Sequence, residues 1–137
     1  KDDYAGQAKL FPQSALPIIM DESILVGTDV LKWAPVCHGI NIKLMKCGGI
    51  LEALKMIDLA RKLNLQIMIG GMLETAVGVS AGAQLAPLVD YIDLDGNVLI
   101  GNDPFDGYRI GSDGRFTYTD LPGLGVKPRQ QIFSEEK

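Results

Sequence analysis

Short apolar runs separated by amphipathic or small-residue stretches set the rhythm of this chain. Ile18-Ile19-Met20, Ile40 to Met45, Leu65 to Ile69 and Tyr91 to Leu94 are apolar, partly β-branched, and bounded by Gly, Pro or acidic residues. That is the pattern of buried strands. Helical segments lie between them. Gly27-Thr28-Asp29 opens one that runs to about Pro35, with Thr28 as the expected capping hydroxyl. Ile50 to Asn64 repeats Ala53, Met56, Ile57, Ala60 and Leu63 on one face, with Asp58 and Lys62 paired on the wet side. Ala76 to Leu88 is rich in small residues, which suits a helix lying close against its neighbours. Ahead of these, Tyr4 to Phe11 reads as a short helix stopped by Pro12. After Gly96 the pattern turns to Gly, Pro, Asp and aromatic residues. It holds β-like pieces near Tyr108–Ile110 and Arg115–Tyr118, a turn at Pro122–Val126 and a frayed end at Ser134–Lys137.

From Ile18 to Leu94 the order is therefore βαβαβαβ with short connections, which predicts a parallel sheet wound right-handedly by helices. Two architectures fit, an open doubly wound sheet or a run of a (β/α)8 barrel. No Gly-x-Gly-x-x-Gly follows a strand and no Walker motif occurs, so nothing supports a nucleotide-binding open sheet. Polar residues collect instead at strand C-terminal ends: Asp21 and Glu22, Lys43, Glu74, Asp93 and Asp95. A barrel builds its active site there. A whole barrel takes about 250 residues, so four strands make half of one. The expected fold class is α/β, about four βα units of a TIM-like barrel followed by a tail.

Composition narrows the partners. With 47% hydrophobic and 22% charged residues the chain is globular rather than disordered. A net charge of −4 without any basic run argues against nucleic acid. No apolar run is long enough to span a bilayer, which argues against a membrane. Cys37 and Cys47 lack metal or redox spacing and read as buried apolar side chains in a reducing cytoplasm. His38, the single histidine, reads as a loop residue. The chain starts Lys1-Asp2-Asp3 without a methionine and runs straight into folded-looking sequence, so it reads as part of a longer protein.

The central run Ile40 to Met45 carries the chemistry. Alternation puts Asn41, Lys43 and Met45 on one face and Ile40, Ile42 and Leu44 on the other. An ammonium in such a strand needs anionic partners or a wet cleft. Lys46 takes the opposite facing and is expected to be structural. A lone lysine, an Asp-Glu-Ser turn or an Asp-x-Asp pair is each commonplace. Together, Asp21, Lys43 and the Asp93/Asp95 pair would face one cleft from three strands. They would supply an acid able to hold a divalent cation, an amine able to move a proton and a pair able to bind a cation.

The runs Met20-Asp21-Glu22-Ser23, Asn41-Ile42-Lys43-Leu44-Met45-Lys46-x-Gly-Gly49, Met68-Ile69-Gly70-x-Met72-x-Glu74-Thr75 and Asp93-x-Asp95 resemble the enolase superfamily. The likeness is nearest to its muconate-lactonizing subgroup, and within it to the L-Ala-D/L-Glu (dipeptide) epimerases. It implies the C-terminal half of the barrel over residues 1–97 and a tail over 98–137 that would pack on an N-terminal capping domain. It further implies an isomerase in which Asp21 is one of three carboxylates on Mg²⁺, with Glu22 supporting it. Lys43 would be one of two acid/base lysines on opposite faces of the substrate α-carbon, working through an enediolate. Asp93 and Asp95 would bind the free ammonium of a small dipeptide. The remaining metal ligands and the partner lysine would lie upstream of Lys1. The chain alone would then be inactive and would need the N-terminal half of the same protein, or self-association. Two other readings stand beside this one. The first is a sister enzyme, such as an o-succinylbenzoate synthase, N-succinylamino-acid racemase or cycloisomerase. The second is an inert structural fragment that needs a complementing chain.

Overall fold

The computed structural model of the protein describes residues 2–129. Helix α1 (Tyr4–Leu10) is capped by Asp3, whose Oδ1 accepts from Gly6 N at 2.8 Å, and gives way to a 3-10 turn at Pro12. Four parallel strands follow in sequence order across one sheet: β1 (Ile19–Met20), β2 (Gly39–Lys43), β3 (Gln66–Gly70) and β4 (Tyr91–Asp93). Between them run α2 (Gly27–Trp33), the one-turn α3 (Leu44–Cys47), α4 (Ile50–Lys62) and α5 (Ala76–Ala83). The βα order and parallel pairing expected from the hydrophobic rhythm are present.

Register divides the sheet into two faces. Ile40 pairs with Ile67, and Ile42 with Ile69, which in turn pairs with Ile92. This face packs under the helices with Val30, Trp33, Ala53, Met56, Ala60, Val79 and Ala83 in one apolar core. Burying each large side chain there contributes about 1.5–3 kcal/mol. Gly82 lets α5 approach closely, since a Cβ there would touch Leu94 and Ile69. Trp33 is buried, with the Tyr4 ring 5.4 Å from it. The other face carries Asn41, Lys43, Met68, Gly70, Tyr91 and Asp93, the interior of a partial barrel. Among the described residues no helix is long and apolar enough to cross a membrane. Cys37 and Cys47 are buried and unbonded to each other. His38 sits in a loop, accepting from Ile18 N through Nδ1 at 3.0 Å.

Three local expectations are corrected. Thr28 does not cap α2: Asp29 Oδ2 takes the Leu25 and Val26 N–H groups, both at 3.0 Å, because a carboxylate inside the first turn reaches back to them. The central strand stops at Lys43, and Leu44–Cys47 is helical, closed by Gly48 at φ +89°. The helix expected to reach Leu88 ends at Ala83 and continues as a 3-10 turn with Pro87 in it. The Ser134–Lys137 end lies outside the described residues.

At the N-terminal end of the strands, Arg61 clasps both Asp90 oxygens at 3.0 and 2.8 Å, and Asp90 also accepts from Ile67 N at 2.7 Å. The guanidinium bonds hold the Asp90 carboxyl below its usual range, against a smaller upward push from burial. Past β4, two antiparallel ribbons form, β5 (Phe105–Asp106) with β8 (Lys127–Pro128) and β6 (Arg109–Ile110) with β7 (Phe116–Thr117). This tail is stitched to α5. Asp103 accepts from Ala76 N at 2.6 Å and Phe105 N at 3.0 Å, Tyr108 N donates to Ser80 Oγ at 3.1 Å, and Tyr118 OH donates to the Ala83 carbonyl at 3.1 Å.

Two predictions follow from these joints. Asp103 is buried, so Asp103→Ala strands two N–H groups and should remove about 1–3 kcal/mol, read as a lower urea midpoint. An unchanged midpoint would show that the carboxylate holds nothing. Gly96 packs directly on the Met72 carbonyl, leaving no room for a Cβ. Gly96→Ala should cost about 1–3 kcal/mol and displace the adjoining Asp95 in a crystal structure of the variant.

Candidate functional site

The site begins with a row across the sheet. Lys43 at the end of β2 pairs with Gly70 on β3, and Gly70 pairs with Asp93 on β4. Neighbouring strands stand about 4.8 Å apart, so the Lys43 and Asp93 backbones flank a gap of about 10 Å with a glycine between them. Asn41 leans into part of that gap: a Cβ on Gly70 would come within 2.6 Å of its side-chain oxygen. Asn41 is only 5% exposed, and its Oδ1 accepts no hydrogen bond among the described residues.

Asp21 follows β1 directly and reaches the same row. Its Oδ2 lies 3.0 Å from Lys43 Nζ, with the two side chains 34% and 14% exposed. The Asp21 carbonyl accepts from Ile24 N at 3.0 Å, closing a tight turn that fixes where the carboxylate emerges. A second ammonium meets it: Lys46 Nζ contacts Oδ1 at 2.5 Å and the Asp21 carbonyl at 2.6 Å. Burial pushes the Asp21 carboxyl up, but bonding to Lys46 and Lys43 outweighs it and leaves the group below its ordinary value. At neutral pH it is an anion.

The opposite facing expected for Lys46 is therefore wrong. Strand alternation would have turned it away, but the chain changes to helix after Lys43, and residues three apart on a helix share a side. The signal was present in Leu44-Met45-Lys46, good helix formers ahead of two glycines. Met72, in the loop after β3, was also overlooked; its Sδ lies 3.9 Å from Lys43 Nζ. Glu74, in the same loop, accepts from Met72 N at 2.9 Å and so shapes the loop around Met72.

The remaining candidates are dispersed. Asp93 and Asp95 are exposed, and among the described residues neither carboxylate has a hydrogen-bond or ion-pair partner. Their loop is held by the backbone, with Gly71 N donating to the Asp93 carbonyl and Val98 N to the Asp95 carbonyl, both at 2.9 Å. Glu22 is exposed and lines a groove with Asp2, Asp3, Met20 and Trp33, sharing no hydrogen bond with Asp21. Chemically, the row offers an ionised hard-oxygen donor that already attracts cations, an amine beside it and, across a gap, the uncompensated Asp93 carboxylate. A Mg²⁺ ion suits such a donor. Among the described residues no group of three or more His, Cys, Asp or Glu side chains comes together that could hold a metal ion.

Comparison with known proteins agrees with this architecture. The enolase C-terminal domain-like family model matches residues 1–132. An L-Ala-D/L-amino acid epimerase of Maribacter sp. is 48% identical over 129 residues, 94% of this chain and 38% of the relative. Two solved structures superpose on it. One is a substrate-liganded L-Ala-D/L-Glu epimerase of Bacillus subtilis, with TM-score 0.84, 32% identity, and 91% of this chain and 36% of that one covered. The other is a dipeptide epimerase of Cytophaga hutchinsonii complexed with Mg and D-Ala-L-Val, with TM-score 0.87, 28% identity, and 96% and 37% covered. The chain thus spans well under half the length of these relatives, and its sheet is part of an enolase-superfamily barrel. By sequence and by fold, the chain belongs to the enolase C-terminal domain-like family.

Proposed function

We propose that this chain is the C-terminal part of a Mg²⁺-dependent dipeptide epimerase, and that Lys43 moves the α-proton. The observation that carries this is the Lys43–Asp21 ion pair at one end of a sheet row that runs through Gly70 to Asp93, whose carboxylate is unpaired among the described residues. A dipeptide fits that spacing with its carboxylate toward Asp21 and its ammonium toward Asp93 and Asp95. The two aspartates then confer selectivity, because an acylated amine offers them no charge and leaves them uncompensated.

In this reading Lys43, as the free amine, takes the proton from the α-carbon of the residue bearing the free carboxylate. The C–H electron pair moves into that carboxylate as an enediolate. A second acid, from residues outside this chain, returns a proton on the opposite face. Run in reverse, Lys43 as ammonium is the donor. When bound, Mg²⁺ supplies charge stabilisation to the substrate carboxylate, and Asp21 is the ligand this chain would contribute. Met72, its Sδ 3.9 Å from Lys43 Nζ, would flank the amine on one side. Residues 1–97 would form the barrel part and 98–137 the tail. With a single acid/base lysine and a single cation ligand, the chain works only with the remainder of the barrel. That remainder is the N-terminal portion of the same protein.

The test uses the full-length protein with Mg²⁺ and L,L-dipeptides in D2O, following loss of the α-proton signal by NMR. Free-amine dipeptides should exchange at the second residue and N-acetylated ones should not. Asp93→Asn and Asp95→Asn should each lower kcat/KM by about 10- to 100-fold, the worth of a charge-assisted hydrogen bond. Full activity in the double variant, or faster turnover of an N-succinylated amino acid, would overturn the reading in favour of a sister enzyme.

A further inference from the structure

The proposal above leaves Lys46 without a role, yet it is the more buried of the two lysines on Asp21, its side chain 11% exposed against 14% for Lys43. Immobilising a lysine side chain costs rotamer freedom, so its fixed geometry needs a compensating interaction. That interaction is a double one to a single residue: Nζ bonds both the Asp21 carbonyl and Oδ1. A donor that spans main chain and side chain of one aspartate locks its χ1, because turning the carboxylate breaks one of the two bonds. The short helix α3 makes this possible by returning Lys46 to the side of the sheet that Lys43 already occupies.

The two oxygens of Asp21 are thereby given different tasks. Oδ1 is committed to Lys46. Oδ2 faces Lys43, whose only other contact of this kind among the described residues is the weak acceptor Met72 Sδ at 3.9 Å. We infer that Lys46 is a positioning residue: it clamps Asp21 so that Oδ2 alone, already turned toward Lys43, is presented to a divalent cation. The inference rests on Asp21 being a cation ligand.

Charge and orientation make opposite predictions here, which makes the inference testable. Removing an ammonium beside a carboxylate should, by charge alone, tighten cation binding. Losing a partner that orients a ligand should weaken it, by about 10- to 100-fold for outer partners of metal sites. The experiment is a Mn²⁺ titration by electron paramagnetic resonance on the full-length protein, comparing wild type, Lys46→Met and Lys46→Arg without substrate. We expect the Lys46→Met dissociation constant to rise about 10- to 100-fold, and Lys46→Arg, which keeps the charge and donors enough for both Asp21 acceptors, to bind Mn²⁺ more tightly than Lys46→Met. If Lys46→Met fails to fold, Lys46→Gln, which keeps an amide donor but no charge and a shorter reach, should show the same weakening.

A Lys46→Met protein that melts earlier but binds Mn²⁺ as well as wild type, or better, would overturn the inference and leave Lys46 a mere fastening of the turn after β1. That result would leave the proposed function standing. A wild-type protein that binds no Mn²⁺ at all would overturn both.

Discussion

An ammonium on a largely covered sheet face must have an anion within reach, and most of what positions this site follows from that requirement. Lys43 meets it with Asp21, which is possible only if β1 lies beside β2, parallel to it, and ends where its next residue can turn toward Lys43. The tight turn after Met20 provides the ending, and the apolar face beneath provides the pairing. The same register then sets Gly70 next to Lys43 and Asp93 next to Gly70. One electrostatic constraint and one hydrogen-bond ladder thus fix the positions of three chemical groups that lie far apart in the chain.

The two ends of the strands divide their labour. At the N-terminal ends, Arg61, Asp90 and the Leu88 carbonyl form a satisfied cluster that ties α4 to the start of β3 and the approach to β4. At the C-terminal ends the carboxylates of Asp93 and Asp95 are left uncompensated among the described residues. Uncompensated charge on a rigid frame is what recognition of a cationic group needs, whereas the Arg61 cluster serves only cohesion.

The strands and α4 were legible because buried parallel strands and a regular apolar helix face leave strong periodic signals. Asp21, Lys43, Asp93 and Asp95 were legible as strand-end residues, although only the register shows which ones stand together. Lys46 was not. Leu44, Met45 and Lys46 are good helix formers, but they continue an apolar strand run without a break, and the helical turn is closed only by Gly48 with its left-handed backbone. Thr28 misled because the helix starts one residue before it: with Val26 at the cap position Thr28 lies inside the first turn, and Asp29 reaches back to the Leu25 and Val26 N–H groups. In the tail, the β6–β7 hairpin showed in its aromatic residues, but the β5–β8 ribbon joins two-residue pieces distant in the chain and leaves no local pattern.

The placement of Trp33 has a spectroscopic consequence. It is the only tryptophan in this chain and is almost wholly out of water, beside Tyr4 and under the α1–α2 layer. Its fluorescence is therefore blue-shifted in the folded state and moves to the red only when that layer opens. The ribbons beyond Gly96 hold two tyrosines and a phenylalanine, Tyr108, Tyr118 and Phe116, close together but no indole. Loosening of the tail is dark to tryptophan emission, and a fluorescence melt of this chain reports on the opposite end of the sheet from Asp93 and Asp95.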